Sequence, residues 1–187
     1  MVSAALAAGI TAADTHRATD PKQGYGWAQA RLHPWARDFR ITTKIYGRSD
    51  IPISEQLAIT LTDLDIPSVH ACFVHDWAVL SDDERRSTAQ ALAAVRASGE
   101  ATKVGVSAYD EAEVNSAIEH FVSFDVVQVP ARVVDQRLMN SAVLQALSGA
   151  GAEIQARSMY LQTLLLGPRA TASLPEHQDI RRFPLLC

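Results

Sequence analysis

Residues 40–75, RITTKIYGRSDIPISEQLAITLTDLDIPSVHACFVH, contain one strand–helix–strand unit. Two short runs, 40–45 and 69–75, are predicted strands, because each is nearly as continuously apolar as strands buried on both faces are. Between them, Leu57, Leu61 and Leu64 recur at helical spacing. A strand, a crossover helix and a second strand form the repeating unit of a parallel sheet.

The same unit recurs along the chain, and each predicted strand ends at or beside a polar residue. Successive polar residues are 21 to 32 positions apart: Asp14, Lys44, His75, Ser107, Gln128 and Ser158. Because that interval holds one strand and one helix, we predict an α/β fold of the (β/α)8 TIM-barrel type, incomplete, with about six βα units. The predicted strands are 11–14, 40–45, 69–75, 103–107, 126–129 and 153–158, and the predicted helices are 22–32, 54–64, 82–97, 111–121 and 139–147.

The polar strand ends form the candidate site. Side chains at the carboxyl ends of parallel barrel strands meet on one face, and Asp14, Lys44 and His75 would form a proton-transfer set there. Each residue also has a simpler interpretation: a helix cap for Asp14, a solvated charge for Lys44 and a hydrogen-bonded core residue for His75. Their order and their position at successive strand ends favour the catalytic interpretation. The other histidines, His16 among them, are expected to have no catalytic role.

Composition narrows the classes of protein to which the chain can belong. It has 187 residues, of which 48% are apolar, and a net charge of −4. We predict one domain at 1–166 and an irregular tail at 167–187. The charge argues against a nucleic-acid partner, and no apolar run approaches the ~20 residues of a membrane span. The apolar start of the chain lacks a basic segment, which favours a trimmed core helix over a signal peptide.

The two cysteines indicate neither a disulfide framework nor a metal site. Cys72 and Cys187 are far apart, and the sequence has no CxxC pair. Cys72 lies within a predicted strand, where a buried, unreactive thiol is expected. We therefore expect a cytoplasmic protein without a bound metal.

Several segments together resemble the aldo-keto reductase family. They are AGITAADTH (8–16), RITTK (40–44), FVHDW (73–77), ALAAVRASGEATKVGVSAYDEAEV (91–114), DVVQVPARVVDQRL (125–138) and GAGAEIQARSMYLQTLLL (149–166). The likeness covers roughly residues 1–166 in the family's order. It implies a barrel that binds NADP(H) across its carboxyl-end face and passes hydride to a small aldehyde or ketone. In that family a tyrosine supplies the proton, a lysine paired with an aspartate lowers the pKa of that tyrosine, and a histidine orients the carbonyl.

The resemblance assigns a role to each candidate residue. Asp14, Lys44 and His75 correspond to three of the four catalytic positions. The cofactor-binding positions implied are Ser107 and Gln128, at the nicotinamide carboxamide, and Arg157 with Ser158, where an aromatic ring often stacks on the nicotinamide.

The chain also departs from the family's pattern. Thr19 stands where the family has its tyrosine, and a threonine hydroxyl cannot replace a phenol as the acid. Tyr25, through a loop shift, and Tyr46, on the strand face of Lys44, are the two candidate replacements. Ala108 replaces an asparagine at the cofactor site, and Ala131 with Arg132 replaces a Tyr-Asn pair.

The resemblance further implies that the family's first and eighth strands are missing. The segment that holds the adenosine 2′-phosphate goes with the eighth strand, so a preference for NADP over NAD has no basis in this sequence. Open sheet edges predict self-association as a homo-oligomer. Two hypotheses follow: an NADPH-dependent reductase impaired by truncation, or a non-catalytic relic that serves as an interaction module of the same fold.

Overall fold

The computed structural model of the chain describes residues 2–16, 33–132 and 135–159, and within them six strands form one parallel sheet. The strands pair in sequential order: β1 (Ala12–Asp14), β2 (Arg40–Ile45), β3 (Val69–Val74), β4 (Ala101–Ser107), β5 (Val126–Pro130) and β6 (Glu153–Arg157). The predicted incomplete (β/α)8 fold is confirmed, with small differences at the strand ends. His75 and Ser158 lie one residue beyond β3 and β6.

The sheet curls so that β1 approaches β5. The side-chain amide of Gln128 in β5 donates to Asp14 Oδ2 in β1 at 3.1 Å, although three strands lie between them. A cavity of about 330 Å³ lies inside this curve, lined by residues of β1, β2, β5 and β6 and by His70 of β3. The carboxyl ends of the strands therefore meet on one face, as in a barrel.

Helices cover the outside of the sheet. They are α1 (Val2–Ala7), α2 (Ile53–Leu64), α3 (Asp82–Ser98), α4 (Glu111–His120) and α5 (Ala142–Gly149), and two 3-10 helices span His33–Asp38 and Trp77–Val79. The main core lies between helices and sheet, with Leu57, Leu92, Val104 and Val127 fully or almost fully buried. No helix of the described residues is long and apolar enough to cross a membrane.

Local sequence signals account for most helix ends. Ser81 and Glu84 form the predicted capping box of α3, and Gly99 ends that helix at φ 82°. The Asp110 side chain accepts from the Glu113 amide at the start of α4. Helix α5 begins at Ala142, three residues later than predicted, because Ser141 caps it by accepting from the Leu144 amide. The predicted helix 22–32 and the tail 167–187 lie outside the described residues.

Two further expectations concern burial. The prediction of an N-terminal core helix is wrong, because no residue of α1 is buried. Half of this short helix is alanine, which offers little apolar area to bury. Cys72, in contrast, is fully buried as predicted, and burial raises the pKa of its thiol to about 12.

Gly105 is required where β4 meets β5. A Cβ atom at this position would lie 1.6 Å from the carbonyl oxygen of Val126, a backbone atom that cannot rotate away. We expect Gly105→Ala to lower the free energy of unfolding by about 1–3 kcal/mol, the usual cost of overpacking. Urea denaturation measures this, with Gly149→Ala as the matched control, because a Cβ there meets nothing within 4 Å. Equal midpoints for the two variants would contradict the prediction.

Candidate active site

An ion pair joins the ends of β1 and β2. The Lys44 ammonium donates to Asp14 Oδ1 and Oδ2, each at 2.6 Å. The Lys44 side chain is 8% exposed and that of Asp14 is 44% exposed. A buried ammonium needs an opposite charge beside it, and Asp14 supplies that charge. The two residues meet because β1 and β2 are adjacent parallel strands, with Asp14 paired to Thr42 in register.

Gln128 and Ser107 extend this network to β5 and β4. Both are almost fully buried and are paired in register on neighbouring strands. Gln128 donates to Asp14, but within the described part of the chain its Oε1 has no hydrogen-bond partner, and neither has the Ser107 hydroxyl. Buried polar atoms normally have partners, so these two groups are available to a ligand that can both donate and accept.

Three aromatic rings lie together on the same face. Tyr46 follows β2, His16 lies two residues beyond β1, and His75 follows β3. The Tyr46 hydroxyl and His16 Nε2 are hydrogen-bonded at 2.9 Å. The His75 ring centroid is 4.8 Å from that of His16 and 5.5 Å from that of Tyr46.

The position of His16 is a departure from the sequence analysis. We expected it to have no catalytic role, yet the structure places it within the cluster. The alternation of side chains along a strand would have predicted this position. Residues two apart lie on the same face, so His16 follows Asp14 as Tyr46 follows Lys44.

Both imidazoles are held in their neutral form. Burial, then the nearby His75 and the charge of Lys44, lower the pKa of His16 to about 4. Burial, then Lys44 and Arg157, also lower the pKa of His75. A neutral imidazole carries one N–H donor, so at pH 7 His75 can donate a hydrogen bond to a carbonyl oxygen.

Arg157 ends β6, and Ser158 follows it. The Arg157 guanidinium lies over the ring of Tyr109, with Cζ 4.2 Å from the ring centroid. Ser158 has a φ of 58°, in the left-handed region, where the chain leaves the strand. The predicted nicotinamide contacts of this pair remain predictions. Thr19 and Tyr25 lie outside the described residues.

Taken together, these residues can move a proton to a carbonyl oxygen. The site contains a charged Lys–Asp pair, a phenol and two neutral imidazoles on one face of the sheet. Such groups supply general acid catalysis and orientation. Among the described residues, no group of histidines, cysteines and acids could hold a metal ion.

Comparison with known proteins identifies relatives of the same fold. A glycerol dehydrogenase from Gluconobacter oxydans is 19% identical, with a TM-score of 0.71 over 98% of this chain and 60% of that one. An aldo-keto reductase from Klebsiella pneumoniae, solved in complex with NADPH, is 15% identical, with a TM-score of 0.71 over 90% and 59%. An aldo/keto reductase from Brucella melitensis is 23% identical, with a TM-score of 0.65 over 89% and 64%.

These similarities establish the shared fold, and this chain spans about 60% of the length of these solved proteins. No curated protein matches the sequence. The model of the Aldo/keto reductase family matches residues 1–179, nearly the whole chain. The chain belongs to the aldo/keto reductase family.

Proposed function

We propose that this protein reduces a small aldehyde or ketone with NADPH. The observation that carries the proposal is the network in which Lys44 and Gln128 both donate to Asp14, beside the neutral His75. With Ser107 included, strands β1, β2, β4 and β5 each contribute a side chain to the site. Functional residues at the carboxyl ends of several strands are typical of barrel enzymes.

The unpaired polar atoms fit a nicotinamide cofactor. Its carboxamide has an amide donor, which suits Gln128 Oε1, and a carbonyl acceptor, which suits the Ser107 hydroxyl. Arg157 and Ser158 lie at the end of the next strand and would flank the ring. When bound, the reduced cofactor supplies the hydride. The NADPH complex of the Klebsiella relative supports this choice of cofactor.

The protein's own residues would position the carbonyl and provide its proton. The neutral His75 donates a hydrogen bond to the carbonyl oxygen and so fixes its orientation. The Lys44 ammonium, held by Asp14, favours the ionised form of a nearby phenol and thus makes that phenol a better acid. Among the described tyrosines, Tyr46 supports this role best, because its hydroxyl bonds to His16 within the cluster.

Replacing Tyr46 tests the identity of the acid. We expect Tyr46→Phe to lower kcat/KM for aldehyde reduction by about 10²–10⁴-fold, the usual contribution of general acid catalysis, while NADPH still binds. The matched control is Tyr109→Phe, a change of the same size at a residue that is 51% exposed. Loss of turnover in Tyr25→Phe but not in Tyr46→Phe would assign the proton to Tyr25 instead.

The direct test of the proposed function is a fluorescence titration of the purified protein with NADPH, with NADH in parallel. We expect saturable NADPH binding and, in an aldehyde screen, oxidation of NADPH. Tighter binding of NADPH than of NADH would support a contact to the 2′-phosphate in this chain. Equal affinities would indicate that the protein binds either cofactor. A folded sample that binds neither would refute the proposal.

We also place the protein in the cytoplasm, which the buried free thiol of Cys72 supports.

Self-association through the sheet edges is a second candidate function. Among the described strands, β1 pairs only with β2 and β6 only with β5, which leaves one edge of each for another chain. Light scattering across a dilution series tests this. A dimer or larger assembly without carbonyl reduction would favour the interaction module, and a monomer at every concentration would exclude it.

A further inference from the structure

The guanidinium of Arg157 has an unused hydrogen-bonding edge. Its Nε and Nη2 are both shielded from solvent and have no hydrogen-bond partner among the residues that the structure describes. These two nitrogens lie on the same edge of the planar group and point their N–H bonds in parallel. A buried cationic donor pair without an acceptor is costly, so this pair calls for an anion that the described residues do not supply.

Two other arginines show what this edge binds in the same protein. Arg48 donates from Nε and Nη2 to the two carboxylate oxygens of Glu84, at 3.0 and 2.8 Å. Arg137 does the same with Asp135, at 2.9 Å for both bonds. Both of those pairs are largely exposed, whereas the same edge of Arg157 is shielded and unfilled. The edge of Arg157 therefore suits a carboxylate, which none of the described residues supplies.

Contacts on the face of the guanidinium hold it in place. Its Cζ lies 4.2 Å from the centroid of the Tyr109 ring, and its backbone carbonyl accepts from the amide of Ala131. The nearby carboxylate of Glu113 accepts from the Tyr109 amide at 2.8 Å and forms no hydrogen bond with Arg157. Stacking leaves the edge of a guanidinium open, so Tyr109 orients the donors without occupying them.

Arg157 also lies at the carboxyl end of the sheet, where the candidate site is. Arg157 ends β6 and lies two residues beyond Gln155, which is paired in register with Gln128. Its charge contributes to the lowered pKa of His75, the residue proposed to orient the carbonyl. A ligand held at both places would carry a carbonyl group near His75 and an anion at Arg157.

We propose that Arg157 binds the carboxylate of the substrate, which makes the substrate an oxo acid. This inference rests on the proposed carbonyl reduction and specifies its substrate class. Two parallel N–H donors match the two oxygens of a carboxylate, and Tyr109 is the residue that fixes their orientation.

The anion site is tested without cofactor or turnover. Malonate and its neutral analogue malonamide are titrated into the protein, and the Nε–Hε signal of Arg157 is followed by NMR, with assignment from Arg157→Lys. We expect malonate, but not malonamide, to shift that signal saturably. Arg157→Lys keeps the charge but loses the two-pronged edge, so malonate binding should weaken by about tenfold or more.

Two controls separate the site from general charge effects. Arg137→Gln removes a charge whose edge is already filled by Asp135, and malonate affinity should stay within about threefold. Tyr109→Leu removes the stacking ring and should weaken malonate binding, although Arg157 itself is unchanged. Equal shifts from malonate and malonamide, or unchanged malonate binding in Arg157→Lys, would overturn the inference.

Titration with NADPH distinguishes the substrate from the cofactor as the source of the anion. We expect NADPH and malonate to bind together, and Arg157→Lys to weaken malonate binding by a larger factor than NADPH binding. Displacement of malonate by NADPH, with NADPH binding weakened as much as malonate binding in the variant, would assign the anion to the cofactor phosphates and overturn the substrate assignment. That result would leave the proposed reductase function intact, whereas absence of any NADPH binding would refute that function separately.

Discussion

Lys44→Met should lower kcat/KM for aldehyde reduction by about 10²–10⁴-fold. The affinity for NADPH should stay within about threefold of the wild-type value. The reason lies in the buried ammonium, which is 8% exposed and bonds to both oxygens of Asp14. Methionine keeps the length and apolar stem of the side chain but removes the charge that favours ionisation of the proton donor. Steady-state kinetics with an aldehyde and a separate cofactor titration measure the two effects.

Lys103→Met is the matched control for this change. Lys103 is also a strand lysine paired with an acid, because its ammonium donates to Glu153 at 2.7 Å. It is not part of the cluster of His16, Tyr46 and His75. Its replacement should alter stability more than turnover. Full activity in Lys44→Met would show that the family's mechanism does not operate in this chain.

Glu153→Gln should lower the free energy of unfolding at neutral pH. One carboxylate, 27% exposed, accepts hydrogen bonds from Lys103 and Gln155 and pairs with His70. Burial alone would raise its pKa, but the bonds from Lys103, Gln155 and His70 lower it from 4.5 to about 2. The ionised carboxylate therefore stabilises the folded chain at neutral pH.

The sign of the pH dependence follows from the lowered pKa. The unfolded chain binds this proton near pH 4.5 and the folded chain only near pH 2, so the contribution is complete above about 4.5 and is lost as the pH falls to 2. Urea denaturation of wild type and Glu153→Gln should therefore differ most at pH 7 and converge near pH 2. Asp135→Asn, at an exposed pair, is the control and should change little. A constant difference at every pH would show that the carboxylate's charge is not the cause.

Sequence periodicity was sufficient to predict the strands and most of the helix ends. The capping residues Ser81 and Asp110 and the terminating Gly99 act locally, which is why their roles could be predicted from neighbouring residues alone. The start of α5 could not be predicted in this way, because the sequence alone does not decide between Ser141 and earlier positions as the cap. α1 was misjudged because apolar composition indicates helix formation but not what the helix packs against.

The candidate site was only partly predictable for a related reason. The pairing of Asp14 with Lys44 follows from adjacent strand ends, but the contact between His16 and Tyr46 depends on side-chain direction beyond those ends. The bond from His70 to Glu153 spans 83 positions and is set by the curl of the sheet. The unfilled edge of Arg157 depends on the partners available in three dimensions, which a single sequence does not specify.

The bond from Gln128 to Asp14 has a consequence for how this protein is made. It joins residues 114 positions apart, so it forms only after five consecutive strands have assembled. Contacts of such long range form late, because the closure entropy of the intervening chain must be overcome first. A nascent chain that has emerged only through β4 contains the ion pair but not the glutamine that orients it. The network proposed for catalysis therefore matures as one of the last events of folding, and a ligand that binds it selects fully assembled molecules.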